Sequence, residues 1–290
     1  MAGTRKKAAP AQRTWLWGGL LALPTVWMFS FFLSSMVIVL LLSFGSTQRD
    51  GRPVFDTRLA NYDALWNEVY LELFLRSLTY AVATTLICAL IAYPVAYAIA
   101  LHGGRFKNIL VAGIVVPFFA SYLIRMYAWS ALLADDGVVN SALRRTHLGD
   151  GVQWLNTPTA VIGGLVYGYV VFMILPVYAS LERMDTALIE AGKDLYHGPV
   201  RTFLTVTLPA TQAGLYGGML LVFLPALGDF VSAQLLGGPS TYMIGNLVQQ
   251  QFLEGQNWPL GSALTVATMV LLSLLMVGYL RLTTRRERES

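Results

Sequence analysis

Long apolar runs alternate with short polar stretches along this chain. Six runs of about 20 residues or more stand out, near Leu20–Phe44, Ser77–Leu101, Ile109–Leu133, Thr159–Leu181, Thr211–Leu236 and Leu260–Leu282. That is the length a hydrocarbon core of about 30 Å asks of a helix. A backbone inside lipid must satisfy its own hydrogen bonds, so runs this long read as helices rather than barrel strands. The expected architecture is an all-α integral membrane protein with six transmembrane helices in one domain over 15–290, preceded by a disordered basic tail over 1–14.

The polar interruptions carry their own helix signals. Asn61 is placed to cap a surface helix with Leu65, Trp66, Tyr70 and Leu73 on one side. Val138–Arg145 has a weak amphipathic pattern, between the turn signals Asp135-Asp136-Gly137 and Gly149-Asp150-Gly151. In the loop over 182–210, Asp185 or Thr186 can start a helix and Gly198-Pro199 should end it, with a second short helix at Val200–Val206. Met184, Leu188, Ala191 and Leu195 fall on one face of the first. Two short helices joined by a turn make a rigid knob.

Composition agrees with the pattern. Of 290 residues, 56% are hydrophobic and 12% charged, and the mean hydropathy is +0.57, far above a soluble domain. The first run follows Arg5, Lys6, Lys7 and Arg13, but it is too long for a signal peptide and no small-x-small site closely follows it, so it is expected to remain as a span. Cys88 is the sole cysteine, which leaves no intrachain disulfide or cysteine metal cluster. With the amino terminus inside, 13 Lys and Arg residues (5, 6, 7, 13, 105, 107, 183, 193, 201, 281, 285, 286, 288) fall on inner segments and five (49, 52, 58, 144, 145) on outer loops. That asymmetry places both termini and the 182–210 loop in the cytoplasm. The net charge of +4 then needs no nucleic acid to explain it.

Several kinds of chemistry lack their residues. Gly192-Lys193 is followed by Asp194 and no phosphate-binding loop occurs, so ATP hydrolysis is not expected of this chain. His102, His147 and His197 all fall in loops, and no internal repeat is found. Both facts count against an intramembrane enzyme and against an ion-coupled secondary transporter. Pro94, Pro117, Pro176 and Pro225 lie inside the second to fifth runs, where each favours a kink. Gly164-x-x-x-Gly168 and Gly214-x-x-x-Gly218 permit close helix packing. Only Arg125 and Asp229 are charged well within a run. Counted from the inner ends they sit about 24 to 27 Å up. This allows a direct pair, a snorkelling Arg125, or an Asp229 that lines a solute path with the ring faces of Tyr122, Tyr127, Trp129 and Tyr167.

The stretch from Glu190 to Pro209 resembles the cytoplasmic coupling motif of ABC importer permeases. Glu190, Ala191, Val206, Leu208 and Pro209 fall on that motif, whereas Gly192 replaces a usual Ala and Tyr196 a usual Gly. A second resemblance, to spermidine/putrescine permeases, rests on Pro225, Ala226, Gly228, Asp229 and the run Leu235 to Pro239. Leu123-Ile124-Arg125 with Tyr127-Ala128-Trp129, and Asn61-Tyr62 leading to Arg76-Ser77-Leu78, add to it. The resemblance implies a type I ABC importer permease fold with a core near 72–282, set in the inner membrane. It implies that Glu190, Ala191, Gly192, Asp194, Leu195, Tyr196, Gly198, Pro199, Val206, Leu208 and Pro209 form the coupling element. It further implies a separate ATPase dimer that uses ATP and Mg, a second and different permease subunit, an external solute-binding protein, and a polyamine or other small solute. Asp229, Arg125, Tyr122 and Trp129 are the residues expected along the solute path.

Overall fold

The computed structural model describes residues 13–48, 52–56, 59–146, 152–196 and 198–289. The basic tail up to residue 12, the Gly149-Asp150-Gly151 turn, His147 and His197 lie outside the described residues. In chain order come α1 (Arg13–Ser43), a two-stranded antiparallel ribbon of β1 (Ser46–Thr47) and β2 (Pro53–Val54), α2 (Ala60–Ala64) and α3 (Glu68–Tyr97), which continues into a π-helical turn at Ala98–His102. Then follow α4 (Lys107–Val115), a 3-10 turn at Val116–Phe119, α5 (Tyr122–Leu133), α6 (Val138–Arg145) and α7 (Pro158–Arg183). The last third holds α8 (Thr186–Tyr196), α9 (Pro199–Thr202), a π-helical turn at Phe203–Thr207, α10 (Leu208–Ala210), α11 (Gln212–Gly228), α12 (Val231–Leu236), α13 (Ile244–Leu253) and α14 (Trp258–Glu289).

Among the described residues, four helices are long and apolar enough to cross a membrane: α1, α3 with its π turn, α7 and α14. The third and fifth apolar runs are not single helices. The third bends by 90° at Ala120 and Ser121, between Gly104–Phe119 and Tyr122–Arg145. The helical segment Pro199–Ala210 meets Gln212–Gly228 at 71°, and the run beyond it breaks again at Asp229 and Phe230. Counting each bent pair as one span gives six crossings. Pro117 lies in the turn before the first bend and Pro209 two residues before the second, where the missing N–H and fixed φ weaken the ladder. Pro176, by contrast, is carried inside an unbroken α7.

The core is a three-helix pack of α3, α7 and α11, filled by Cys88, Ala92, Tyr93, Ala96, Met173, Ile174, Val177, Leu181 and Val222. A second cluster joins α3 and α11 to α13 and α14 through Ala81, Leu227, Ile244, Leu247 and Leu264. The side chains of α1 described from Leu21 onward are almost all exposed, and it packs chiefly along α14. In lipid that exposure has no hydrophobic cost.

Both small-residue motifs serve packing. A Cβ on Gly214 would stand 2.5 Å from the Pro176 carbonyl oxygen, and one on Gly218 would meet the Met173 sulfur at 2.7 Å, so α11 lies directly on α7. A Cβ on Gly164 would run into the Leu236 side chain of α12, and one on Gly168 would be 2.8 Å from the Tyr122 ring.

The segment between α1 and α3 differs from expectation. Asn61 does not cap a helix; it sits inside α2, and its amide donates to the Ser43 and Gly45 carbonyls at 3.0 and 2.8 Å. Those carbonyls belong to the end of α1, where the helix leaves acceptors unpaired. The cap is Asn67, whose side chain accepts from the Val69 amide at 3.1 Å, so α3 starts nine residues before the apolar run Ser77–Leu101. Leu65 and Trp66 fall in the turn between the two helices instead of on a single face.

Gly214→Val is expected to push α11 off α7 and cost about 1–3 kcal/mol through overpacking. Gly217→Ala, with nothing within 4 Å of its Cβ position, should be nearly neutral. Thermal unfolding of the purified protein in detergent compares the two.

Candidate functional site

Asp229 stands at the break between α11 and α12, in an extended conformation. Its Oδ1 accepts from the Ser232 amide at 2.8 Å, which satisfies an orphan donor of the first turn of α12 as an N-cap would. Its Oδ2 accepts from the Tyr122 hydroxyl at 2.5 Å and from the Tyr169 hydroxyl at 2.7 Å. Ser232 Oγ adds a longer contact at 3.4 Å and lies 2.7 Å from the Tyr122 hydroxyl. One buried carboxylate thus ties α5, α7 and α12 together.

The rest of the break is satisfied in the same way. Asn246 donates to the Phe230 carbonyl at 2.8 Å while its own Oδ1 accepts from the Met243 amide at 3.0 Å. Ser77 Oγ accepts from the Ile244 amide at 2.7 Å, and the Asn156 amide donates to the Leu236 carbonyl at 2.8 Å. Non-helical backbone at membrane depth survives only where protein groups pair it, and these polar side chains do so.

Arg125 lies on the other side of Tyr122. It is buried, and its guanidinium carbon stands 4.9 Å from the ring centre of Phe118, 5.5 Å from Tyr122 and 5.7 Å from Tyr167. Trp129 packs edge-on against Tyr167 at 5.4 Å. The direct Arg125–Asp229 pair allowed by their equal depth does not form: among the described residues no ion pair joins them. Tyr122 separates the charges, with its ring face toward Arg125 and its hydroxyl on Asp229. Nor does Arg125 snorkel outward, because ring faces cover it. Of the expected path residues, Asp229, Arg125, Tyr122 and Trp129 come together around this point, while Tyr127 is exposed and apart.

Sequence reasoning missed Tyr169, Ser232 and Phe118. A signal existed for Ser232: Asp229 three residues ahead of it is a capping spacing, which inside an apolar run marks a helix break. Tyr169 carried none, since a tyrosine in a membrane helix is ordinarily packing or an interface anchor.

The knob over 182–210 forms much as its caps imply. The Asp185 carboxylate accepts from the Ala187 amide at 3.0 Å, α8 ends at Tyr196, and Gly198 leads into Pro199 at the first position of α9. The face turned inward consists of Ile189 and Gly192, both buried. A Cβ on Gly192 would be 2.8 Å from the Thr202 methyl and 3.0 Å from Val206, so the glycine lets α8 lie close against the following segment. Leu188, Ala191 and Leu195 are exposed beside Glu190, Lys193 and Asp194. Only Met184 of the expected apolar face packs onto the core. Val200 and Leu204 continue the exposed apolar surface, Leu195 and Val200 being 72% and 70% accessible. Leu208 is half-buried and Pro209 exposed at the approach to the bend.

Phe203 fastens the knob to the core. Its ring meets Tyr93 edge-on at 5.1 Å and Tyr97 at 6.3 Å. Tyr93 is in turn 2.5 Å, oxygen to oxygen, from Thr211, the residue at the bend before α11.

No protein-family model matches the chain. It is 37% identical, over 88% of its length and 90% of the relative's, to the spermidine/putrescine transport system permease protein PotB of Haemophilus influenzae. It is 36% identical, over 77% of its length and 75% of the relative's, to the inner membrane ABC transporter permease protein YdcU of Escherichia coli. Its fold matches a crystal structure of a bacterial ABC transporter involved in the import of the acidic polysaccharide alginate, with a TM-score of 0.73 at 20% identity, covering 94% of this chain and 96% of that one. These relatives make the chain an ABC importer permease, a multi-pass membrane transport subunit, and the bent-span bundle agrees with that fold. Within that class, the chain belongs to the family of the PotB-type permeases.

Asp229→Ala is expected to take the acceptor from the Tyr169 hydroxyl and the Ser232 amide, at about 1–3 kcal/mol for each buried orphan, while Tyr122 keeps the Ser232 hydroxyl. Asp229→Asn, which keeps an acceptor oxygen, should cost clearly less. Melting temperatures of the two variants against the parent check the order.

Proposed function

We propose that this chain is one of two different permease subunits of an ATP-driven importer of polyamines, such as spermidine and putrescine, handed over by an external solute-binding protein. Both termini and the knob face the cytoplasm. The knob docks on a separate ATPase dimer, which binds and hydrolyses ATP with Mg while this chain binds neither. One observation supports the coupling role: Leu188, Leu195, Val200 and Leu204 form an exposed apolar surface on the loop that carries the motif. An exposed apolar patch marks a contact surface, for protein or for lipid, and the motif spacing favours protein here. Glu190, Lys193 and Asp194 give it a charged rim, and Gly192 seats the first helix against Thr202 and Val206 of the following segment; Tyr196, Gly198 and Pro199 complete the coupling element.

Motion at the knob has a route into the membrane. Phe203 bears on Tyr93 and Tyr97 of α3, and Thr211 at the bend bears on Tyr93, so a push on α8 and α9 reaches α3 and α11 together. The polyamine reading rests on the PotB relatives and on the ring faces around Arg125, since Asp229 is already spent on tyrosine and serine donors.

The test is uptake of radiolabelled spermidine and putrescine by the whole complex in proteoliposomes. Leu195→Asp buries a charge in the docking surface, a loss of about 2 kcal/mol or more at an interface centre. ATP-driven uptake should fall more than about tenfold. Glu190→Ala should lower uptake while the complex still assembles. Uptake that persists without ATP, or is indifferent to both substitutions, defeats the coupling reading and favours an ion-coupled carrier. ATP-driven import of some other small solute alone defeats only the polyamine assignment.

A further inference from the structure

Three aromatic faces from two spans converge on one point, and a cation of the protein's own occupies it. Phe118 comes from the inner arm of the bent third span, Tyr122 and Arg125 from its outer arm, and Tyr167 from α7. All three ring centres lie within 5.7 Å of the Arg125 guanidinium carbon. Ring faces at such distances attract any cation through their quadrupoles, and several faces around one point are how proteins hold ammonium groups.

Arg125 is badly served in this place. A guanidinium brings five N–H donors and no acceptor. Here its Nε is buried with no hydrogen-bond partner, and no carboxylate among the described residues pairs with it. Burying a charge without full pairing is costly, so the rings hold the side chain against a standing penalty. Asp229 could relieve that penalty, but its oxygens are engaged by Tyr122, Tyr169 and Ser232. The box also straddles the 90° bend, so a change in that angle would separate Phe118 from Tyr122.

We propose that the Phe118–Tyr122–Tyr167 box is a subsite for an ammonium group of the solute, and that Arg125 is its tethered stand-in, leaving the rings when the solute arrives. This inference rests on the polyamine reading above. The stand-in keeps the box closed to small inorganic cations when no solute is present. It is released cheaply, because outside the box its donors regain hydrogen bonds.

The test is equilibrium binding of radiolabelled spermidine to the assembled complex in lipid nanodiscs, without ATP and without the solute-binding protein. Arg125→Gln, which empties the box, should bind about tenfold more tightly than the parent. Arg125→Lys, which keeps a cation on the stem, should remain near the parent. Adding Phe118→Leu to Arg125→Gln should remove the gain. Unchanged, weaker or undetectable binding in Arg125→Gln overturns the proposal. A gain that survives Phe118→Leu also overturns it, since relief from a repelling charge would then explain the result without the rings. If Arg125→Gln does not assemble, Tyr167→Leu decides alone: weaker binding supports the box and unaltered binding sinks it. Failure of the unmodified complex to take up spermidine with ATP removes the polyamine reading and the box together, whereas uptake with no shift among the variants removes only the box.

Discussion

A chain that leaves its helix inside a membrane has no water to turn to, and the Asp229 carboxylate supplies what water would have supplied. It closes the break between α11 and α12 by accepting from the Ser232 amide, and the same group draws in hydroxyls from α5 and α7. Three segments far apart in sequence therefore share one acceptor. The half of the bundle around Asp229 depends on that sharing, because the bend in the third span brings Tyr122 to the carboxylate and the absent side chain at Gly168 lets the Tyr122 ring lie close against α7. A residue that reads in sequence as a lone charge acts as a joint.

The half beside the knob is organised differently. There α3, α7 and α11 pack through glycine contacts and small apolar residues, with few polar groups involved. Tyr93 is the exception, holding the Phe203 ring of the knob on one side and the Thr211 hydroxyl on the other. A π-helical turn runs from Phe203 and another follows Tyr97. Such turns put extra residues into the helix and recur at functional positions.

Sequence showed the features that depend on local chemistry. Run length gave the all-α membrane class, caps and the Gly198-Pro199 stop gave the knob, and the glycine spacings gave the packing faces. Features set by partners distant in sequence were not visible. The Arg125–Asp229 pair was a deduction from depth alone, and depth is silent about a tyrosine standing between two charges. Asn61 has the chemistry of a cap, yet the end of α1 offered it two carbonyls in better positions. The apolar stripe on α8 was real in period, but periodicity does not say which face meets the core, and Gly192 reversed the usual answer by allowing the closer approach. The continuous fifth run concealed its break because the breaking residues, Asp229 and Phe230, are flanked by apolar neighbours on both sides.

The knob has a consequence for how the protein is made. Leu188 and Leu195 lie on α8, outside every candidate span, and with Val200 and Leu204 they leave an exposed apolar surface that other apolar surfaces will seek. A freshly inserted chain is thus complete within the bilayer but adhesive beyond it. Its survival against proteases and self-association depends on how soon that surface is covered.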